Sequence, residues 1–281
     1  MLVSTGIIFL FSFFGCNTVS EIDFPLEYEG DRIVIISQLE DSHEIYIQLY
    51  KTSPPLDSFY LDSFYITNAT ITLFEDGTAY PFIHLSNGKY TSPEQKQAKS
   101  GRTYRIEASA PGFPSAFSAD EIVPFSGSIM NATWTTIEST NQYDGIVSFD
   151  VEIPDNFPFD IVFTGIADGE ETSPEYDIVA GIGFFCENVI LVPECLTEGG
   201  HIEALVNKEY FNGNETLINT HIKIRLVILS PSQKSYEESI TLQEDAFSYP
   251  FIGKDSPYTN IQNGYGLLSS SAETEIIIPI Q

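Results

Sequence analysis

The stretch HIKIRLVIL, residues 221–229, places Ile222, Ile224, Leu226 and Ile228 on one face and Lys223 on the other. A period of two residues is typical of a β-strand that lays one face against a core. Further stretches with strand-like patterns lie at 44–50, 68–74, 101–108, 146–153, 161–166, 178–185 and 273–280. The sequence therefore predicts an all-β fold.

Two local signals predict how some of these strands are connected. Asn87-Gly88 lies between two apolar stretches, and this dipeptide favours the tight turn of a β-hairpin. One helix is predicted at about 231–246. Ser230 is its expected N-cap, Pro231 suits the first helical position, and Gln233 would complete a capping box.

The strands fall into two groups separated by Pro124–Ser128, a stretch whose composition suits a linker. We therefore predict two β-sandwich domains of Ig-like type in series. The first covers residues 30–124, and the second covers residues 125–281 and carries the helix.

Composition and charge limit the classes of function. The chain has 281 residues, of which 42% are hydrophobic and 13% aromatic, enough for a substantial core. Its 40 acidic residues outnumber 12 Lys and Arg, which gives a formal net charge of −28. Such a surface repels phosphate backbones, so nucleic acid is not an expected partner.

The N-terminus has the pattern of an export signal. Residues 1–15 lack charged side chains and end at Cys16, and their apolar run is too short to span a bilayer. Phe13-Phe14-Gly15-Cys16 resembles a bacterial lipobox, in which the cysteine is lipidated and becomes the mature N-terminus. This predicts a signal peptide at 1–15, a tether at 16–29 and a membrane anchor on Cys16. The alternative is an ordinary secretory signal followed by a chance cysteine.

Two cysteines remain in the mature chain, Cys186 and Cys195. In an exported protein, two cysteines at this spacing favour a local disulfide, with two free thiols as the alternative. A zinc site is not expected, because no histidine lies inside the loop and zinc requires about four ligands.

Motifs of known chemistry are missing from the sequence. There is no nucleophile elbow, HExxH, P-loop or EF-hand pattern. The four histidines, His43, His84, His201 and His221, are scattered along the chain, and a structural role is expected for them. The sequence nominates no catalytic residue, metal site or cofactor, so we expect a non-enzymatic protein.

One stretch is rich in basic residues on this otherwise acidic chain: Lys96, Lys99, Arg102 and Arg105. Such a group could contact a phosphate or an acidic partner. It could equally form the polar face of a hairpin, and the sequence does not decide between the two.

Several segments resemble the Bacteroidota outer-membrane lipoproteins catalogued as domain of unknown function 4249. They are the lipobox Cys16 followed by Glu21-Ile22-Asp23-Phe24-Pro25, the strand Arg32–Ile36, the middle section ITNATITLFEDGTAY…NGKY…KSGRTYRIEASAPGF, and the late order of helix, Asn260-Ile261 and Asn263-Gly264-Tyr265-Gly266. The middle section is also similar to transthyretin-like and carboxypeptidase-regulatory modules. The resemblance covers nearly the whole mature chain.

The resemblance implies an outer-membrane lipoprotein on the periplasmic or cell-surface face, associated with a TonB-dependent receptor. It supplies no catalytic residues. The leading hypothesis is a non-enzymatic lipoprotein that binds a ligand or such a receptor during nutrient uptake. A structural or adhesive surface protein is the second hypothesis, and a hydrolase is the third. Fold analogy alone does not choose between them.

Overall fold

A computed structural model describes residues 28, 30–54, 63–137, 144–154, 157–172, 176–178, 200–207, 209–212, 215–245 and 257–280. This part of the chain consists mostly of strands, and it contains one helix. The all-β class expected from the periodicity is confirmed.

The first eight strands precede the predicted linker. They are β1 (Ile33–Glu40), β2 (Tyr46–Lys51), β3 (Thr70–Glu75), β4 (Thr78–Ser86), β5 (Lys89–Thr91), β6 (Thr103–Ser109), β7 (Ala116–Ser118) and β8 (Glu121–Ile122). The predicted turn at Asn87-Gly88 joins β4 to β5, and both residues have positive φ, 46° and 69°. The hairpin expected there is confirmed.

The second series begins at Ser128. It comprises β9 (Ser128–Thr136), β10 (Gly145–Glu152), β11 (Phe159–Ala167), β12 (Glu170–Thr172), β13 (Tyr176–Ile178), β14 (His201–Val206), β15 (Glu209–Asn212), β16 (Glu215–Ile218), β17 (His221–Leu229), α1 (Pro231–Asp245), β18 (Ile261–Gln262) and β19 (Tyr265–Pro279). The helix matches its predicted position within one residue.

A 13-stranded sheet contains strands from both series. Its order is β12-β11-β17-β19-β1-β2-β5-β4-β3-β6-β7-β18, with β8 beside β6. A second sheet has the order β13-β14-β10-β9, and β15 pairs with β16. A large mixed sheet was not expected from the sequence, which predicted two sandwiches in series.

The long strand β19 connects the two series. Its first half pairs in parallel with β1, from Val34 opposite Tyr265 to Glu40 opposite Ser271. Its second half pairs antiparallel with β17, from Leu229 opposite Ser271 to His221 opposite Pro279. Strand β19 therefore forms hydrogen bonds with a strand of each series, β1 and β17.

The buried apolar side chains form two clusters. The first contains residues of β1–β7 and their connections together with Ile261 and Leu268, and the second contains residues of β10, β11, β14, β17 and the end of β19. Because Ile261 and Leu268 lie beyond residue 260, the segment 30–124 does not close the first cluster alone. The domain boundary at 124/125 stays a prediction.

The start of α1 differs from the predicted capping box in one detail. The Ser230 Oγ accepts the Gln233 backbone N–H at 3.1 Å, as an N-cap does. The Gln233 side chain does not return the bond but donates to Glu237 at 2.6 Å. The Ser230 N–H instead donates to the Ser270 carbonyl at 2.9 Å, which ties the helix start to β19.

Candidate functional site

The predicted covalent sites cannot be placed in the fold. Cys16, Cys186 and Cys195 lie outside the described residues, so the lipidation and the disulfide stay predictions. No helix in the described part of the chain is both long and apolar enough to cross a membrane.

The basic stretch is placed along β6 and the loop before it, where Lys96 is largely enclosed. Its Nζ lies 2.5 Å from a Glu75 carboxylate oxygen, and the Tyr104 hydroxyl donates to the other oxygen at 2.9 Å. Burial raises the pKa of Glu75, but the hydrogen bonds from Lys96 and Tyr104 outweigh it and hold the pKa below its usual value. Lys96 therefore forms an ion pair within the fold and presents little of its charge to solvent.

The two arginines of this stretch also meet acidic groups. Arg102 Nη1 lies 2.6 Å from Asp76, and Arg105 Nη2 lies 2.9 Å from Glu107. Lys99 is exposed. The neighbouring surface holds a cavity of about 350 Å³, lined by Phe74, Asp76, Gly77, Thr103, Tyr104, Arg105 and Asp120. Three of the four cations therefore pair with acidic side chains of the same chain. A contact between the basic stretch and a partner stays a prediction.

A polar cluster that the sequence did not indicate lies on the four-stranded sheet. Strands β10 and β14 pair antiparallel, with Asp150 opposite His201 and Ser148 opposite Glu203. Residues 148 and 150 lie on the same face of β10, because side chains two residues apart in a strand point the same way. His201 can therefore reach both Ser148 and Asp150.

The imidazole of His201 joins the other two side chains. Its Nδ1 lies 2.7 Å from Asp150 Oδ1, and its Nε2 lies 3.2 Å from Ser148 Oγ. Glu203 is 3.7 Å from Nε2. The Asp150 hydrogen bond raises the pKa of His201 more than partial burial lowers it. No group of three His, Cys, Asp or Glu side chains within the described ranges is arranged to hold a metal ion.

A β-bulge in β9 supplies a fourth member of this cluster. The register of β9 against β10 shifts between Ser148 and Asp150, and Asn131 has a φ of 54°. The Asn131 amide donates to the second Asp150 oxygen at 2.7 Å. Bulges redirect side chains in this way, so Asp150 is held from two sides.

A buried carboxylate lies where the first series meets α1 and β19. Glu121 is 3% exposed, and its Oε1 is 2.8 Å from Ser270 Oγ. Burial raises the pKa of Glu121, although hydrogen bonds from Ser230, Ser232 and Ser270 oppose the rise. Ser270 Oγ is also 2.8 Å from the Ile122 carbonyl. The Ser270 hydroxyl has one hydrogen to donate. If Glu121 is protonated, it can donate to Ser270 Oγ, and Ser270 can then donate its own hydrogen to the Ile122 carbonyl.

We expect Glu121→Gln to raise stability at neutral pH by on the order of 1 kcal/mol, since it removes a buried charge. The raised pKa means that the neutral carboxyl stabilises the fold below the unfolded-state pKa. This stability is lost as pH rises through the folded-state pKa. The advantage of the variant should therefore shrink as pH falls toward 4.5, the ordinary pKa of a glutamate side chain. Thermal melts from pH 4 to 8 measure it.

The matched control is Glu94→Gln, which removes an equal charge from an exposed side chain. It corrects for the general repulsion within a chain of net charge −28. A pH-independent difference between the Glu121 variant and the wild type, after this correction, would contradict the raised pKa of Glu121.

The fold and these clusters define a strand-rich protein with a large mixed sheet and polar groups gathered on sheet faces. The chain belongs to the family described as Domain of unknown function (DUF4249), whose model matches residues 19–277. The predicted membership of domain of unknown function 4249 is thereby confirmed.

Two other comparisons add little to this assignment. Among solved structures, the chain is similar to "Drosophila OTK, extracellular domains 3-5", with 12% sequence identity and a TM-score of 0.20. The match covers 74% of this chain and 62% of that chain, so this chain spans less than two thirds of that structure's length. A comparison with curated proteins gave no match.

Proposed function

We propose that this protein is an outer-membrane lipoprotein, anchored through Cys16, that binds a ligand or a TonB-dependent receptor during nutrient uptake. The observation that carries the proposal is the apolar run of residues 1–15 ending directly at a small residue and Cys16. Membership of the family supports it, because nearly all of the mature chain matches.

The length of chain between the anchor and the fold suits this function. The Gly30 carbonyl already accepts a hydrogen bond from Thr52 Oγ1, so residues 17–29 of the predicted tether separate Cys16 from the fold. At ~3.5 Å per extended residue, these residues could span at most on the order of 45 Å. A folded protein on such a tether can reach a neighbouring β-barrel receptor in the same membrane.

The proposed architecture retains two modules, at 30–124 and 125–281. The two separate buried clusters support this division. The first module would be transthyretin-like, in keeping with the middle section of the sequence, and β19 would join it to the second. The shared strand would fix the orientation of the modules toward a partner.

The proposal is tested by recovering the tagged full-length protein from native membranes. We expect a β-barrel receptor to co-purify. Lys99→Glu should reduce its recovery severalfold, because Lys99 is an exposed cation of the basic stretch. Lys234→Glu makes the same charge change on α1 and should have no effect.

The outcomes separate the hypotheses. Recovery of the lipoprotein alone, from membranes that contain the receptor, would contradict receptor binding and favour a structural or adhesive role. Equal receptor recovery with both variants would show that receptor binding does not use Lys99.

A further inference from the structure

We propose that Ser148, His201 and Asp150 form a nucleophilic site that hydrolyses small carboxylic esters that carry no negative charge. This activity goes beyond the proposed binding function and does not depend on it. It would replace the expectation of a non-enzymatic protein, which rested on missing sequence motifs.

The three side chains are connected in the order that nucleophilic catalysis requires. An ionised carboxylate only accepts hydrogen bonds, so the short contact to Asp150 places a hydrogen on His201 Nδ1. In the neutral imidazole, Nε2 then carries the lone pair, 3.2 Å from Ser148 Oγ. A nucleophile within reach of a base that a third group orients is the arrangement found in serine hydrolases.

Asp150 is itself held in place. The Asn131 amide binds its second oxygen at 2.7 Å, from a bulge whose positive φ is uncommon for a residue other than glycine. β-Bulges are over-represented next to active sites, where they re-aim a side chain. Asn131 and Asp150 are therefore positioning residues, and Ser148 and His201 are the residues that meet the substrate.

The reaction proceeds in two balanced steps. Ser148 Oγ attacks the ester carbonyl carbon while its proton moves to His201 Nε2. The carbon–oxygen bond to the alcohol then breaks, and the leaving oxygen takes that proton. Water attacks the acyl-Ser148 and gives a proton to Nε2, and Ser148 regains this proton as the carboxylic acid leaves. The sum is an ester and water giving an acid and an alcohol.

The surroundings select the class of substrate. The side chains of His201 and Asp150 are 34% and 27% exposed, so a substrate can reach them from solvent. Glu203 lies 3.7 Å from the reacting nitrogen, and the chain carries a net charge of −28. These charges repel anionic substrates, which leaves neutral and cationic esters as the expected class.

The first test is covalent labelling of the full-length protein with an alkyl fluorophosphonate, which transfers its phosphonyl group to an activated serine with loss of fluoride. We expect labelling of the wild type and at least a tenfold loss in Ser148→Ala. Ser128→Ala is the matched control, because Ser128 lies on the same sheet and its Oγ is 3.4 Å from the Glu152 carboxylate. An unlabelled wild type, or equal labelling of Ser148→Ala, would overturn the proposal.

The second test is hydrolysis of p-nitrophenyl acetate, with Ser148→Ala in the same buffers as the background. We expect His201→Gln to lose about 100-fold in rate, the contribution of a general base. The wild-type rate should rise with pH through a midpoint above the 6.5 of an ordinary histidine, because Asp150 raises the pKa of His201. A rate in His201→Gln equal to the wild type, or one independent of pH, would contradict the assigned base.

Discussion

Gly266→Ala is expected to lower the free energy of unfolding by about 3 kcal/mol or more, one of the largest effects of a single methyl group in this protein. Gly266 lies on β19 opposite Ile35 of β1 and has a φ of 109°. A Cβ atom there would come within 1.9 Å of the Ile35 carbonyl oxygen. Backbone cannot move aside as a flexible side chain can, so the parallel pairing would have to open.

Gly112→Ala separates this collision from backbone strain. Gly112 also has a positive φ, 88°, but a Cβ atom there would meet nothing within 4 Å. We expect it to cost only about 1 kcal/mol, the penalty of a left-handed conformation. Chemical denaturation of both variants gives the comparison. Equal losses in the two variants would contradict the close approach of β19 to β1.

The local features of the fold could be predicted from sequence because they depend on neighbouring residues. The alternation in 221–229 matched β17, and Asn87-Gly88 matched its hairpin. The first half of β19 was missed because Leu267, Leu268 and the three serines after them are all buried, so the alternation disappears. Its pairing with β1 joins residues far apart in sequence, which no local pattern encodes.

The same reasoning explains why His201 was assigned no partner. The strand predicted at 146–153 places Ser148 and Asp150 on one face, and this half of the cluster was visible in the sequence. The imidazole comes from β14, and the Asn131 amide depends on a bulge in β9. Strand pairing and register determine both contacts, so a search for sequence motifs could not find them.

Cys16→Ala is expected to move nearly all of the protein from the membrane fraction to the soluble fraction. Each CH₂ group of an attached acyl chain that enters the bilayer contributes about 0.8 kcal/mol, so the lipid would supply most of the membrane affinity. Fractionation followed by immunoblotting measures the shift. Cys186→Ala is the control, since it removes a cysteine but keeps Cys16, and it should stay with the membranes.

Retention of Cys16→Ala in the membrane fraction would show that another feature holds the protein there. Signal processing could also be affected by the substitution, which would leave residues 1–15 attached. Immunoblotting separates these outcomes by size, because an uncleaved signal peptide gives a larger protein.

The mass of the mature N-terminal peptide, measured on the wild-type protein purified from membranes, tests the lipoprotein assignment most directly. We predict a chain that begins at Cys16 and carries the added mass of acyl chains on that residue. A mature chain that begins at another residue, or an unmodified Cys16, would contradict the assignment.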